Sequence, residues 1–311
     1  MEPGYQALRE SAAYLDFSTR GRIFVTGEDR VRLLHAMTTN HIQQLQPGQG
    51  CYAFFLNAQG RIVADVNVFV LPDRLLLDVE PELREKVYEH LDKFIIADDA
   101  TLEDVSGSLI SFGCEGPKAE EALLAMGAPI PESPYSHVDW MGGIVARVTA
   151  TGAPGFRIFA PEAPKIALDL ADADSVRVVR LEHAKPRYGE DIFDTTLPQE
   201  TQQSHALHFS KGCYIGQEIV ERIRTRGSVH RGFTGLVVNG PVPPSGTPIQ
   251  AHGKDIGLIT STATVPAREG DRVIALGFVR KEHLSGGVVF EVAGAEAIPV
   301  PLPFSGLIEQ L

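Results

Sequence analysis

With 311 residues, 43% of them hydrophobic and 22% charged, the chain has material for two or three domains with real cores and the composition of an ordinary soluble protein. Its net charge of −12 sets the whole-molecule field against nucleic acid and other polyanions. Three scattered cysteines, Cys51, Cys114 and Cys213, argue against a disulfide framework and for a reducing compartment, and no two are spaced as a metal pair.

Residues 1–21 lack the apolar core of a signal peptide and, with Glu2, Glu10 and Asp16, are too acidic for a mitochondrial presequence. No run approaches the roughly eighteen apolar residues of a membrane span. A cytoplasmic protein without membrane contact is the expectation, and a monomer.

Ile23-Phe24-Val25 reads as a short strand, followed by a helix with Thr26 as cap, Asp29 in the capping-box position and an apolar face of Val31, Leu34 and Met37. Pro47 to Gly50 marks a turn. Arg61 to Leu71 alternates as a strand, Pro72 to Arg74 turns, and Leu75 to Val79 returns as the second arm of a hairpin. Pro81 suits the first position of a helix whose stripe is Leu83, Val87, Leu91 and Phe94. Strands near Leu102 to Val105 and Leu109 to Cys114, a helix from about Pro117 to Met126, and strands at Ile144 to Thr149 and Phe156 to Phe159 follow. The order strand, helix, strand, strand, helix, strand over about 58–160 is a ferredoxin-like split β-α-β arrangement with extra strands.

Glu162 to His183 reads as mainly helical, with Val176 to Val179 open to an extended reading. The long polar connection Lys185 to Ser210 is of a length that marks functional loops. Beyond Gly232 the prolines and glycines punctuate short strands, Gly235 to Val238, Gly257 to Ser261, Val273 to Val279 and Gly287 to Val292, as in a small β-barrel or sandwich. The fold class is therefore α+β, with a region over 1–230 and a C-terminal β-barrel over 231–311.

Chemistry concentrates in Lys211-Gly212-Cys213-Tyr214-Ile215-Gly216-Gln217-Glu218. Two glycines let the backbone turn or approach a ligand closely, and a cation beside a thiol favours thiolate. An isolated cysteine is more often a small buried hydrophobe. Val220 to Arg226 alternates, so a strand there puts Arg222, Arg224 and Arg226 on one face, with His230 and Arg231 extending the basic run. Such a face is a solvated surface or a local anion site.

The eight-residue motif resembles the signature of the YgfZ family, folate-binding relatives of the glycine cleavage T-protein (aminomethyltransferase). Asp16 to Gly21, Gly27 to Arg30, Thr39-Asn40, Phe55 to Arg61 and Gly257 to Ser261 fall in the family's order. The resemblance implies a three-part ring with a central tetrahydrofolate pocket and a role in assembling or repairing iron–sulfur enzymes, with indirect effects on tRNA modification. Asn57 to Asp65 resembles the T-protein stretch ending in paired aspartates beside folate's reactive nitrogens, but Ala64 stands in the first place and only Asp65 remains. One carboxylate can still accept a proton. Arg180-Leu181-Glu182 with Gly189-Glu190-Asp191 resembles the segment whose glutamate grips the pterin, which assigns that role to Glu182. Cys213 departs from the T-protein pattern and becomes the candidate working thiol, with Asp65 as its catalytic companion. Lys211, Tyr214, Gln217, Arg226 and Arg231 join Glu182 as candidate folate contacts. The resemblance favours a tetrahydrofolate-binding protein that supports iron–sulfur enzymes; the alternative is a folate-dependent aminomethyltransferase, favoured by Asp65 and Glu182 and disfavoured by Ala64 and the cysteine motif. A third reading, RNA binding by Arg222, Arg224, Arg226 and Arg231, is disfavoured by the net charge.

Overall fold

The structure is a computed structural model that describes residues 3–163, 167–227, 229–284 and 288–308. Helix α1 (Pro3–Glu10) and strand β1 (Ala13–Asp16) open the chain, and β1 is donated to a sheet built mostly from later residues. Next come β2 (Gly21–Thr26), α2 (Arg30–Met37), β3 (Gly50–Leu56), β4 (Ile62–Val70), β5 (Leu75–Val79), α3 (Arg84–Asp92) and β6 (Thr101–Asp104). Their five strands form one sheet in the order β3-β4-β5-β2-β6. Every pairing in it is antiparallel, so β5 and β6 run parallel with β2 between them and α3 crossing over: a split β-α-β unit.

Strands β7 (Ile110–Glu115), β8 (His137–Trp140), β9 (Gly143–Ala146) and β10 (Gly155–Ala160), with helix α4 (Ala119–Ala125), take β1 as their edge in the order β1-β7-β10-β9-β8. Here β7 and β9 flank β10, again a split β-α-β unit. The ferredoxin-like pattern thus occurs twice: its first helix and its second serve different sheets. The expectation of one continuous unit is corrected on that point.

Helix α5 (Ala173–Glu182) packs on α1, and α6 (Gln217–Arg226) leads into a closed six-stranded barrel. The barrel comprises β11 (Arg231–Asn239), β12 (Pro248–Ala251), β13 (Lys254–Ala267), β14 (Gly270–Arg280), β15 (Phe290–Val292) and β16 (Ala295–Val300), and α7 (Ser305–Ile308) follows it. Gly287, the expected start of β15, lies outside the described residues.

Several local readings change. Residues 217–226 are a helix, so Arg222, Arg224 and Arg226 do not share a strand face. The run reads equally well at helical period, because Ile219, Val220 and Ile223 fall on one side, and Gly216 and Gly227 bracket it as end residues. Val176 to Val179 lies within α5 and is not extended. Asp29 is itself the residue before α2 and makes no side-chain cap; its carboxylate accepts from Arg32 and from the Asp99 backbone N–H, while Thr26 ends β2. Phe94 is exposed rather than buried with Leu83, Val87 and Leu91.

The connection from Lys185 to Ser210 is ordered by its partners. Asp191, fully buried, accepts from Thr260 and Ser261 of β13 at 2.6 Å each and from Arg180 of α5 at 2.6 Å. Thr39 donates to the Ala206 carbonyl, and the Ile62 backbone N–H donates to the Thr196 carbonyl. These bonds satisfy a loop backbone that would otherwise be buried unpaired. They also tie the first sheet, α5 and the barrel around one central space.

Candidate functional site

That space is a cavity of about 590 Å³, of the volume that takes a small-molecule ligand. Strand alternation decides which side chains reach it. On β4, Ile62, Ala64, Val66 and Val68 point into the core beneath the sheet, and Asp65 and Asn67 line the cavity. Tyr52 of β3 lies beside them, Glu80 and Pro81 follow β5, and Phe17 and Arg20 come from the β1–β2 link. Arg157 arrives from β10, Val176, Arg177 and Arg180 from α5, and Lys185, Arg187 and Glu190 from the long connection.

The cavity mixes apolar walls with a dense charge network. Asp78, beneath it and fully buried, receives Arg20 at 2.8 Å and Arg157 at 3.0 Å. Glu80 takes Arg187 at 3.0 Å and also Arg20, and Glu190 takes Arg180 at 2.7 Å and Arg177. Burial opposes the charge on Asp78, but Arg20 and Arg157 outweigh it and hold the carboxyl below its usual range. Each of the five lining arginines therefore has a carboxylate partner. Lys185 does not among the described residues: its ammonium donates to the Thr149 carbonyl, and burial pushes its pKa down to about 8.

Asp65, unlike Glu80 and Glu190, has no cationic partner among the described residues. Its Oδ2 accepts from the Tyr52 hydroxyl at 2.7 Å, while Oδ1, closed off from water by the protein, has no hydrogen-bond partner. Burial, with the nearby charge of Glu80 adding to it, pushes the carboxyl up to about 6, against a smaller pull downward from the Tyr52 hydroxyl. A carboxyl poised there exchanges a proton at physiological pH. The strand geometry also changes the meaning of Ala64. Its side chain faces the core with no exposure, so an acid there would not sit beside Asp65 in the cavity.

The remaining candidate residues lie elsewhere. Glu182, at the end of α5, is 2% exposed and does not line the cavity; it accepts from the Tyr5 hydroxyl at 2.5 Å and faces Arg9 at 3.7 Å. Burial raises its carboxyl above the ordinary range. Cys213 is exposed and also does not line the cavity, whereas Cys51 and Cys114 are buried, with thiols pushed up to about 12 by burial. The Lys211 ammonium is engaged elsewhere: it donates to the His35 and Thr38 carbonyls at the end of α2 and lies 4.8 Å from the centre of the Tyr214 ring. Gln217 accepts from the Tyr214 backbone N–H at 3.0 Å, and Gly216, at φ 84°, turns the chain into α6. A Cβ at Gly216 would stand 2.6 Å from the Asn57 carbonyl oxygen, so this close approach requires glycine. Lys211, Tyr214 and Gln217 thus shape the loop that presents Cys213. Arg231 pairs with Glu200 at 2.9 and 3.1 Å, and Arg226 lines a separate cleft. The structure brings Asp65 to the cavity and leaves Cys213 and Glu182 outside it.

Sequence reasoning passed over Tyr52, Asn67 and Lys185. Tyr52 lies on β3, a strand signalled by the aromatic run Phe54-Phe55 but not assigned; Lys185 has no local signal at all.

Residues 2–211 match the family model described as the GCVT N-terminal domain. The chain is 30% identical to an aminomethyltransferase from Rubrobacter xylanophilus, over 96% of this chain and 85% of that one. It is 28% identical to an aminomethyltransferase from Rippkaea orientalis, over 96% and 88%. Among solved structures, the glycine cleavage system aminomethyltransferase T from Bartonella henselae superimposes with a TM-score of 0.86 at 22% identity, covering 97% of this chain and 88% of that one, a likeness of fold.

Proposed function

The chain belongs to the family of the GCVT N-terminal domain, and from that membership and the cavity we propose that it binds a reduced folate there and handles its one-carbon group in the manner of an aminomethyltransferase. The observation that carries this reading is Asp65, a cavity-lining acid with no cationic partner among the described residues, whose buried Oδ1 has no hydrogen-bond donor. A buried acceptor left unpaired costs about 1–3 kcal/mol, so the site favours a ligand that brings an N–H. A reduced folate supplies ring and bridge nitrogens that carry both protons and a one-carbon unit.

This chain's residues then have separable tasks. Asp65 accepts or returns a proton at the nitrogen it faces, with its carboxyl pushed up to about 6 by burial. Tyr52 fixes the orientation of that carboxylate through Oδ2. Phe17, Pro81 and Val176 offer apolar walls that exclude water from the ring. Lys185 is the cation available to a carboxylate of the ligand's tail.

Titration calorimetry with tetrahydrofolate on wild-type protein and Asp65→Asn tests the reading. Binding by wild type that weakens by roughly tenfold or more in the variant supports it, since the amide keeps the shape but loses the anionic acceptor. No binding by wild type refutes it.

A second reading, a YgfZ-type protein that supports iron–sulfur enzymes, rests on Cys213, which stands exposed on a loop braced by Lys211, Gly216 and Gln217. It predicts that Cys213→Ser leaves folate affinity unchanged yet fails to restore iron–sulfur enzyme activity in cells lacking the endogenous protein. Full restoration by that variant removes the reading.

A further inference from the structure

The motif helix α6 carries a second feature at its far end. Arg222 and Arg226, one turn apart, border a cleft of about 530 Å³ together with Arg61 from the β3–β4 turn. Its floor is apolar: Leu197, Ile219, Ile223 and Val229. Among the described residues Arg222 and Arg226 make no ion pair, and the Arg61 guanidinium donates to the Thr195 carbonyl and to no carboxylate. The cleft's single acid, Glu200, is already taken by both hydrogen bonds from Arg231 and by the Leu197 backbone N–H. Through Val229 and His230 the cleft continues into a neighbouring depression bordered by Arg280, Lys281 and one acid, Glu282. The result is an open cleft in which Arg61, Arg222 and Arg226 have no carboxylate partner among the described residues, on a chain whose net charge is −12.

We propose that this cleft is a docking surface for an acidic segment of a protein partner, with an apolar side chain seated between Ile219 and Ile223. Three features select that occupant. The cations need carboxylates, and guanidinium groups match them in bidentate geometry. The floor needs an apolar anchor, which a phosphate backbone lacks. The cleft is short and set against an acidic whole, which penalises a long polyanion more than a short segment. It shares no lining residue with the central cavity, so it is a site apart from the proposed folate site. A partner seated here lies along α6, a helix about 15 Å long at 1.5 Å rise per residue that begins at Gln217, four residues after Cys213.

The test uses the full chain and a short fluorescent peptide that sets a leucine among glutamates, followed by anisotropy. The expected result is binding that weakens with salt, falls by roughly tenfold or more in the double variant Arg222→Ala/Arg226→Ala, and vanishes when lysines replace the peptide's glutamates. Both arginines are exposed, so the variant should melt as wild type does, and its affinity for tetrahydrofolate should not change. That last measurement separates the two sites. Peptide binding that is indifferent to the double variant, or that a transfer RNA displaces while itself binding more tightly through the same arginines, overturns the proposal.

Discussion

Tyr52 donates its phenolic hydrogen to one oxygen of Asp65 at 2.7 Å, and the other oxygen is buried without a hydrogen-bond partner. The two residues sit diagonally across the β3–β4 pair, where Phe54 faces Asp65 and Tyr52 faces Asn67. A buried carboxylate oriented through one oxygen and unpaired at the other costs the fold stability, which marks it as kept for function.

Asp65→Asn should therefore stabilise the free protein above pH 6. The folded carboxyl is raised to about 6 from an ordinary value near 3.8, so the fold binds this proton more tightly than the unfolded chain does. Stability from this group is fully present below its unfolded value and is lost as pH rises through 6. The variant removes that loss, worth on the order of 1–3 kcal/mol at neutral pH. Thermal melts across pH 4 to 8, ranges set by those two values, should separate wild type and variant only at the upper end. A variant less stable than wild type at neutral pH would place a paired, not an orphaned, carboxylate at 65.

Tyr52→Phe should push the Asp65 carboxyl further up, because the hydroxyl's hydrogen bond favours the charged form. The acid limb of a pH profile of tetrahydrofolate binding should move to higher pH with little change at its plateau. An unmoved limb would assign the titration to another group.

Asp78→Ala should be among the most damaging single changes. It leaves Arg20 and Arg157, both nearly or fully buried, without the anion they share, a loss of about 3–5 kcal/mol. Because Asp78 is held below the usual carboxylate range, its contribution is present at neutral pH and disappears as pH falls through its folded value. Denaturant titrations of wild type and variant should converge in acid. A loss below about 1 kcal/mol at neutral pH would mean the network only offsets its own desolvation.

Much of this architecture was legible because one-sided burial imposes a period on the sequence. The β4–β5 hairpin declared itself through alternation, and the barrel through its turn residues. Donation of β1 to the second sheet left no such trace, since pairing across about a hundred residues is not encoded locally. Asp65 was found by resemblance; Tyr52 and Lys185 were not, because each gains its meaning from cavity neighbours distant in sequence. The α6 arginines misled because a ten-residue stretch can satisfy both periods, and here its bracketing glycines were the better guide.

The chain's three thiols should differ in reactivity in the native state. Cys213 is exposed, while Cys51 and Cys114 are buried with thiols pushed up to about 12. Under native conditions a maleimide should modify Cys213 alone, and all three only after unfolding. The position of Cys213 depends on the turn beside it. Gly216 holds φ 84°, and an added Cβ would meet the Asn57 carbonyl oxygen at 2.6 Å and Leu56 at 3.0 Å. Gly216→Ala should therefore lose more than about 1 kcal/mol of stability and shift the loop off the β3–β4 turn. Native labelling of Cys213 should change in rate in that variant, while Cys51 and Cys114 stay protected until the fold opens. Mass spectrometry of labelled peptides reads all three sites at once. Labelling of Cys51 at the rate of Cys213 in the wild type would contradict the buried core at β3, and an Ala variant with unaltered stability and labelling would show that the loop does not rest on this glycine.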